Sequence, residues 1–277
     1  MNLGALHEEV LIFGGNYSNL QATQAMQAVA THMNIPSQRV ICTGDVVAYC
    51  AQPEETVQLM RDWGVPVVMG NCEESLGFDS DDCGCGFEEG TACAVLSDSW
   101  FNYSRLRVST DSKAWMRELP RTIHFQLGDK RFQVVHGGVS SINRFLFASM
   151  PDDHFQTELK ATEADVIIGG HAGIPFARNV DQQIWLNSGV IGMPANEGIR
   201  DTWYMLLQPT ENGVQVRWEK LEYDADTANH EMHKRGLGNG YADGLLSGLW
   251  PSMDVLPEKE KQQCGKAIHL PPLTLSR

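Results

Sequence analysis

The chain has 277 residues with a net charge of −14, and 42% of its residues are hydrophobic. These values are typical of a soluble globular protein with one large α/β domain or two small ones. The acidic excess argues against nucleic acid or an anionic membrane as the main partner, but it does not exclude a small phosphorylated molecule, because a bound metal can reverse the local charge.

The N-terminal segment has no features of a secretory signal. Met1–Val10 carries acidic residues before any basic one, and the apolar run Val10–Phe13 is too short for a signal peptide. No run approaches the roughly 20 apolar residues that a membrane span needs. We therefore predict a cytoplasmic protein without a membrane partner. Seven cysteines in such a chain do not indicate a disulfide framework, although Cys72 to Cys93 form a cluster.

The first part of the chain alternates short apolar strands with glycine turns and helices. The predicted strands are Glu9–Phe13, Val40–Cys42 and Val65–Met69, and the predicted helices are Leu20–His32 and Glu54–Trp63. Each strand is apolar on both faces, which indicates a parallel sheet with crossover helices. The run Phe78–Thr91 is acidic, rich in glycine and without a period, so it is predicted to be a loop.

The second half of the chain has a different sequence pattern, which predicts strands that pair as hairpins. Two helices are predicted first, at Ala92–Tyr103 and Ser109–Glu118. The predicted strands that follow are Thr122–Leu127, Arg131–His136, Asp165–Gly170, Ile184–Ser188, Thr202–Leu207 and Val214–Leu221. Gly128-Asp129 is typical of a hairpin tip. This half is therefore predicted to be antiparallel or mixed.

Together these elements predict an α/β protein. We expect a four-layer α/β/β/α sandwich of two mixed β-sheets flanked by helices, spanning residues 9–222. Residues 223–277 are expected to form a C-terminal helical tail, with a helix at Asp224–Arg235 and a partly ordered remainder, packed on the domain or on a second subunit. Leu245, Leu246, Leu249 and Trp250 look exposed and could form such a homo-oligomer contact.

Four residues of metal-ligand type follow predicted strands: Asp45, Asn71, His136 and His171. Ligands in open α/β sheets bind beyond the carboxyl ends of strands. One carboxylate, one amide oxygen and two imidazoles suit a divalent metal such as Mn, Fe or Zn. The alternative for Asp45 is that Gly44-Asp45 is only a turn before a helix.

The surroundings of these residues resemble the calcineurin-like metallophosphoesterases, in particular the compact bacterial phosphodiesterase branch. The resemblance extends from about Val10 to Leu221. It rests also on four further segments: Asn19-Leu20-Gln21-Ala22, Gly44-Asp45-Val46-Val47, Arg117-Glu118-Leu119-Pro120 and Asn187-Ser188-Gly189-Val190. It implies a metal-dependent hydrolase acting on a small phosphate mono- or diester.

Three motifs depart from the family pattern. The family's Asp-x-His is Gly15-Asn16-Tyr17 here, its Gly-Asn-His-Asp/Glu is Gly70-Asn71-Cys72-Glu73, and its Gly-His-x-His is Gly170-His171-Ala172-Gly173. The resemblance implies that one metal site has lost three ligands, at Gly15, Tyr17 and Gly173. The second site keeps all four of its ligands, which are the residues at the strand ends.

The resemblance also implies roles around this single metal. Cys72, in the position of the family's catalytic histidine, would act in catalysis with His136, and Glu73 would orient a neighbour. Cys72, Cys83 and Cys85 could be extra ligands for a second, thiophilic metal; alternatively, the two loop cysteines are idle thiols.

Four residues are expected to bind the substrate: Tyr17, Asn19, Arg144 and Asn187. Arg144 could hold a phosphate by a bidentate contact, and Tyr17 could stack on the substrate or simply fill the lost metal site. The alternative function is a non-hydrolytic binding or sensor module that uses the metal or the thiols, because a fold does not by itself determine a function.

Overall fold

The structure is a computed structural model that describes residues 1–86 and 90–276. The helices are α1 (Leu20–His32), α2 (Pro53–Trp63), α3 (Asn71–Gly77), α4 (Ala92–Arg105), α5 (Thr110–Glu118), α6 (Asp152–Leu159), α7 (Ala225–Lys234), α8 (Gly240–Ser247) and α9 (Glu258–Lys261). The strands are β1 (Asn2–Leu6), β2 (Val10–Phe13), β3 (Val40–Cys42), β4 (Ile123–Leu127), β5 (Lys130–Val134), β6 (Val166–Gly169), β7 (Phe176–Val180), β8 (Gln183–Asn187), β9 (Thr202–Thr210), β10 (Gly213–Leu221) and β11 (Leu273–Ser276). The predicted loop Phe78–Thr91 includes residues 87–89, which lie outside the described residues.

Within these residues the strands form two mixed sheets, in the orders β1-β4-β5-β6-β8-β7 and β11-β10-β9-β2-β3. Strands β5, β6 and β8 run parallel, whereas β4 and β7 pair antiparallel to their neighbours. In the second sheet β2 is parallel to β3 and antiparallel to β9. Helices flank both sheets, so the predicted α/β architecture of two mixed sheets is confirmed.

Strand β2 shows how the sequence builds these layers. Val10 and Ile12 pack in the apolar core that both sheets share, whereas Leu11 and Phe13 pack in the core under the helices. Successive side chains of a strand point to opposite faces, so a strand that is apolar throughout must be covered on both faces. All four side chains are fully buried, which matches the continuous apolar run in the sequence.

The prediction of a third strand at Val65–Met69 is wrong. Only Val67 forms a bridge, with Cys42. Pro66 has no amide hydrogen to donate to a ladder, and the amide of Met69 turns away to donate to the carbonyl of Pro120. The chain then enters α3 at Asn71, so the segment leaves the sheet after one bridge.

Three strands lie outside the predicted set: β1, β7 and β11. The side chains of β1 are exposed or only partly buried, and β7 contains Arg178 and Asn179 in its interior. Each of the three lies at the edge of a sheet. Edge strands require less apolar character than central ones, so their sequences lack the pattern by which strands are predicted.

The C-terminal segment has more defined structure than the expected partly ordered tail. Helix α7 forms as predicted and lies against α1 and α8, and β11 pairs antiparallel with β10. Leu245, expected to be exposed, is fully buried within the chain, whereas Leu249 is exposed. The predicted boundary at residue 222 and the contact with a second subunit remain predictions. Arg277 lies outside the described residues. No described helix has the length and apolar character needed to cross a membrane.

Candidate metal centre

Four side chains reach one place from the ends of strands and the start of a helix. His136 and His171 follow the neighbouring parallel strands β5 and β6 of one sheet. Asp45 follows β3 of the other sheet, and Asn71 is the first residue of α3. Because the two sheets face each other, these four residues of the predicted metal set are brought together.

The geometry of the group is tight. The His136 Nε2 atom lies 3.0 Å from Asn71 Oδ1, 3.1 Å from His171 Nδ1 and 3.2 Å from Asp45 Oδ2. Asp45 Oδ2 lies 4.0 Å from His171 Nδ1. All four side chains are buried. The potential ligand atoms of Asp45, His136 and His171 all lie within 4.8 Å of one another, which is compatible with a single shared ion.

The orientation of His136 shows which charge this group accepts. Its Nδ1 atom lies 2.7 Å from the carbonyl oxygen of Thr43 and donates to it. In the neutral ring the lone pair of Nε2 then faces the oxygens of Asp45 and Asn71, which are themselves acceptors. Lone pairs that converge in this way favour a cation, either a proton on Nε2 or a metal, and a backbone carbonyl that fixes the tautomer is typical of a metal-binding histidine. The residues present therefore fit a divalent metal.

The electrostatics of the group point the same way. Burial raises the pKa of Asp45, but the charge and hydrogen bond of His136 outweigh it and bring that pKa below its ordinary value. Burial, and then the charge of His136, lower the pKa of His171 to about 3. Burial also acts to lower the pKa of His136, but Asp45 and the Thr43 carbonyl raise it overall. At neutral pH Asp45 is thus ionised and His171 neutral, as ligands must be.

Metal affinity is expected to rise with pH around and above 6.5, the ordinary pKa of histidine. The raised pKa of His136 means that this ring keeps its second proton to a higher pH than an ordinary histidine does, and a metal must displace that proton from Nε2, whereas His171 has no such proton to lose near neutral pH. Binding should therefore release up to one proton per metal wherever His136 is protonated. Calorimetry in two buffers of different ionisation enthalpy measures this number. An affinity that is the same at pH 6 and pH 8 would contradict the assignment of His136 as a ligand.

The backbone at Asp45 and His171 is left-handed, with φ of 55° and 56°. Such a conformation in a residue other than glycine costs about 1–3 kcal/mol and persists where surrounding contacts enforce it. Gly44, before Asp45, has φ of 98°, and a Cβ there would lie 2.7 Å from the Val68 carbonyl oxygen. Only glycine fits this turn, and the turn aims the carboxylate at the histidines.

Glu73 holds the Asp45 turn in place. Its buried carboxylate accepts hydrogen bonds from the backbone amides of Asp45 at 2.8 Å, Gly70 at 3.0 Å and Val47 at 3.2 Å. Burial and the neighbouring Asp45 charge raise the pKa of Glu73 to about 7. Glu73 thus ties together the backbone around Asp45, and its role in catalysis remains a prediction.

Cys72 lies beside the group but is buried rather than open to solvent. Its backbone amide donates to Asp45 Oδ1 at 3.3 Å. Burial and the charges of Asp45 and Glu73 raise the pKa of the Cys72 thiol well above its ordinary value. The side chain is therefore a neutral thiol at physiological pH. The role of Cys72 as a proton donor or metal ligand remains a prediction.

Cys83 and Cys85, treated as free thiols in the sequence analysis, are joined by a disulfide. One residue separates the two cysteines, so this disulfide is a local link and not part of a disulfide framework. The Asn71 Nδ2 atom donates to the Cys83 carbonyl at 2.9 Å and to Cys85 Sγ at 3.3 Å. This loop orients the Asn71 amide so that its oxygen faces His136. A ligand role for these two cysteines would require their reduction, and it remains a prediction.

Three of the predicted substrate-binding residues have partners within the protein. Asn19 Oδ1 caps α1 by accepting from Ala22, and its Nδ2 donates to Gly192. Asn187 Nδ2 donates to the Gly170 carbonyl, directly before His171, and its Oδ1 accepts from Gly189. A substrate would have to displace one of these hydrogen bonds to use either amide.

Arg144, the third, pairs through Nε with the buried carboxylate of Glu158 at 3.0 Å. Its terminal nitrogens make no hydrogen bond within residues 1–86 and 90–276. The next residue, Phe145, places its ring centroid 4.1 Å from that of His171. No pattern in the sequence indicated that Phe145 contacts the site.

Aromatic side chains occupy the region of the lost metal site. A Cβ added to Gly15 would lie 2.5 Å from the Val190 side chain and 2.8 Å from the Tyr17 ring. Tyr17 packs edge-on against Tyr49, with ring centroids 4.7 Å apart. Gly173 faces the indole of Trp250. Packing around Gly15 thus leaves no room for an aspartate ligand.

Known proteins resemble this chain over most of its length. The calcineurin-like phosphoesterase superfamily domain matches residues 9–212. The uncharacterized protein MJ0912 of Methanocaldococcus jannaschii is 25% identical in an alignment of length 257, which covers 86% of this chain and 98% of that protein.

Two crystal structures share the fold. One is a metallophosphoesterase from Sphaerobacter thermophilus, with a TM-score of 0.66, 19% identity and coverage of 88% of this chain and all (100%) of that one. The other is the hypothetical protein PH1004 from Pyrococcus horikoshii OT3, with a TM-score of 0.72, 14% identity and coverage of 88% and 99%. Together with the match over residues 9–212, the fold and the motifs show that this chain belongs to the calcineurin-like phosphoesterase superfamily.

Proposed function

We propose that this protein is a metal-dependent phosphoesterase that hydrolyses a small phosphate mono- or diester, with one Mn, Fe or Zn ion held by Asp45, Asn71, His136 and His171. The observation that carries the proposal is the convergence of acceptor atoms on His136 Nε2 in a buried site. Membership of a phosphoesterase superfamily supports the reaction class.

The chain supplies a preorganised site for this chemistry. A divalent ion bound there would polarise a phosphoryl oxygen and acidify a water molecule. The Thr43 carbonyl fixes the His136 ring, Glu73 holds the Asp45 backbone, and Asn187 holds the carbonyl of Gly170 before His171. Such supporting contacts keep ligands in place and are worth about 10–100-fold in metal affinity or activity.

Two further residues have proposed roles in the reaction. Among the described residues, the terminal guanidinium nitrogens of Arg144 make no hydrogen bond, and Arg144 precedes Phe145, which contacts His171. We therefore propose that Arg144 binds a phosphate oxygen near the metal. The Cys72 thiol lies where a leaving group could be protonated, although its raised pKa makes it a weak acid at pH 7. Asp45 receives the amide hydrogen bond of Cys72, which favours positioning over proton transfer for that residue.

A second candidate function has a specific observation in its favour. The Asn71 amide nitrogen lies 3.5 Å from Cys72 Sγ and 3.3 Å from Cys85 Sγ. Sulfur atoms this close to a metal ligand would suit a non-hydrolytic module that senses a soft metal or an oxidant. In that module the disulfide and the metal site would respond to each other, and no substrate would turn over.

Metal-dependent turnover is the test that separates the two functions. Protein purified without added metal is loaded with Mn²⁺, Fe²⁺ or Zn²⁺ and assayed with glycerol 2-phosphate, phenyl phosphate and bis(4-nitrophenyl) phosphate. We expect hydrolysis that disappears on chelation and falls about 100-fold or more in His171→Ala, because a ligand is lost. The control is His269→Ala, which changes an exposed histidine far along the chain.

The outcomes are distinct. Stoichiometric metal binding without hydrolysis of any of these esters would contradict the proposed phosphoesterase activity and favour the non-hydrolytic sensor function. Hydrolysis that is equal in His171→Ala and His269→Ala would overturn the assigned metal site. Failure to bind any of the three metals would exclude both functions.

A further inference from the structure

We propose that a cavity beside the metal centre binds a planar aromatic or heteroaromatic group of the substrate, so that the preferred esters carry such a group next to the phosphate. This inference rests on the proposed function. It assigns a specificity site that adjoins the metal centre and shares only His171 with the residues that hold the metal.

The cavity lies against His171 and is lined mainly by aromatic side chains. It has a volume of about 60 Å³, and its walls include Tyr17, Tyr49, Phe145, Tyr241 and Trp250. A water molecule needs roughly 10–15 Å³ of such space, so this cavity has room for about four to six waters.

The aromatic side chains of the walls pack against one another. The Tyr49 and Tyr241 rings have centroids 4.4 Å apart, and Phe145 lies 4.1 Å from the His171 ring. Aromatic side chains bind a planar ring by offset stacking and edge contacts, in addition to the burial of apolar area. A flexible aliphatic group of the same size would gain only the burial.

The cavity also offers polar groups. The side chains of Tyr17, Tyr49 and Tyr241 line the cavity, and each carries a hydroxyl. A tyrosine hydroxyl can donate or accept a hydrogen bond. A ring with nitrogen or oxygen atoms at its edge can pair with these hydroxyls, so heteroaromatic groups suit the cavity as well as phenyl rings.

The walls come from two distant parts of the chain. Tyr17 lies at the lost metal site, whereas Tyr241 and Trp250 belong to the segment that follows the matched family domain. The Trp250 indole is held in place, since its Nε1 donates to the Pro194 carbonyl at 2.7 Å and its backbone amide donates to Asn196 at 2.9 Å. The C-terminal segment thus covers the space beside the retained metal site and gives it an apolar, aromatic wall.

The test compares two ligands that differ only in the organic group. Phenylphosphonate and propylphosphonate share the phosphonate, and their carbon–phosphorus bond is not an ester that the site could hydrolyse. Binding to the Zn²⁺-loaded protein is measured by calorimetry. We expect phenylphosphonate to bind about tenfold or more tightly, because the ring is buried in the cavity.

Two variants place the same large side chain inside and outside the cavity. Val255 lines the cavity and is half-buried, so Val255→Trp fills it. Met253, two residues earlier, is exposed and does not line the cavity. Val255→Trp should remove the preference for the phenyl group and keep both the metal content and the binding of propylphosphonate. Met253→Trp should keep the preference.

Each result decides the proposal. Equal binding of the two phosphonates by the wild type would overturn the aromatic subsite and leave the metal-dependent phosphoesterase intact. A preference that persists in Val255→Trp would place the ring elsewhere and would also overturn the subsite. If neither phosphonate bound to the metal-loaded protein, both the subsite and the proposed phosphate site would be wrong.

Discussion

Asp45→Asn is expected to weaken the binding of Mn²⁺ or Zn²⁺ by about 100-fold or more. Replacing a supporting residue of a metal site already costs about 10–100-fold, and Asp45 supplies the only carboxylate among the four converging ligands. The substitution keeps the shape of the side chain but removes the negative charge 3.2 Å from His136 Nε2. Competition with a fluorescent chelator measures the affinity.

The matched control for this change is Asp129→Asn. Asp129 lies in the turn between β4 and β5, where its side chain is partly exposed and pairs with Lys130. The control should bind metal as the wild type does. Unchanged affinity in Asp45→Asn would show that the metal binds at another site, and the proposed mechanism would then have to be abandoned.

Glu73→Ala is expected to lower the free energy of unfolding by about 3–5 kcal/mol, because three buried amides lose their acceptor. It should also weaken metal binding, since the left-handed Asp45 turn is no longer held by its hydrogen bond at 2.8 Å. Urea denaturation of the metal-free protein measures the first effect, and the chelator assay measures the second. Glu73→Gln keeps one acceptor oxygen and should fall between the two proteins in both measurements.

Glu74→Ala is the control for Glu73→Ala. Glu74 occupies the next position of the same helix, but its carboxylate pairs with Arg121 at the surface. An exposed ion pair contributes about 0–1 kcal/mol, so this variant should remain close to the wild type. If the two variants lost the same stability, the loss of a negative charge in the first turn of α3, and not the buried hydrogen bonds, would explain the role of position 73.

The retained and lost metal sites differ in the space that the backbone leaves. At the retained site, glycine at position 44 allows the turn that presents Asp45. At the lost site, Val190 and Tyr17 pack over Gly15, so that Gly15→Asp would require both neighbours to move. Packed side chains thus occupy the region where the resemblance places the lost metal site, and the aromatic cavity adjoins the same region.

Short-range patterns in the sequence were sufficient for the central strands, the five longest described helices and the four metal-ligand candidates. Continuous apolar runs predict buried strands, as in β2 and β6, because such strands are covered on both faces. Asp45, His136 and His171 could be found because each follows such a strand, whereas Asn71 was selected because it follows Val65–Met69, a segment that forms only one bridge. The short helices α3, α6, α8 and α9 were not predicted. The edge strands β1, β7 and β11 could not be predicted, since partly exposed strands lack the continuous apolar pattern.

Only the tertiary structure decided which distant residues meet. It showed that Glu73 binds the amides of Asp45 and Val47. It showed that the loop with Cys83 and Cys85 orients Asn71. It also showed that the side-chain amides of Asn19 and Asn187 form hydrogen bonds within the protein. It also brought Tyr241 and Trp250 beside Tyr17 to form the cavity. These contacts join residues far apart in the chain and follow from how the two sheets and the C-terminal segment pack, for which no local period in the sequence is a signal.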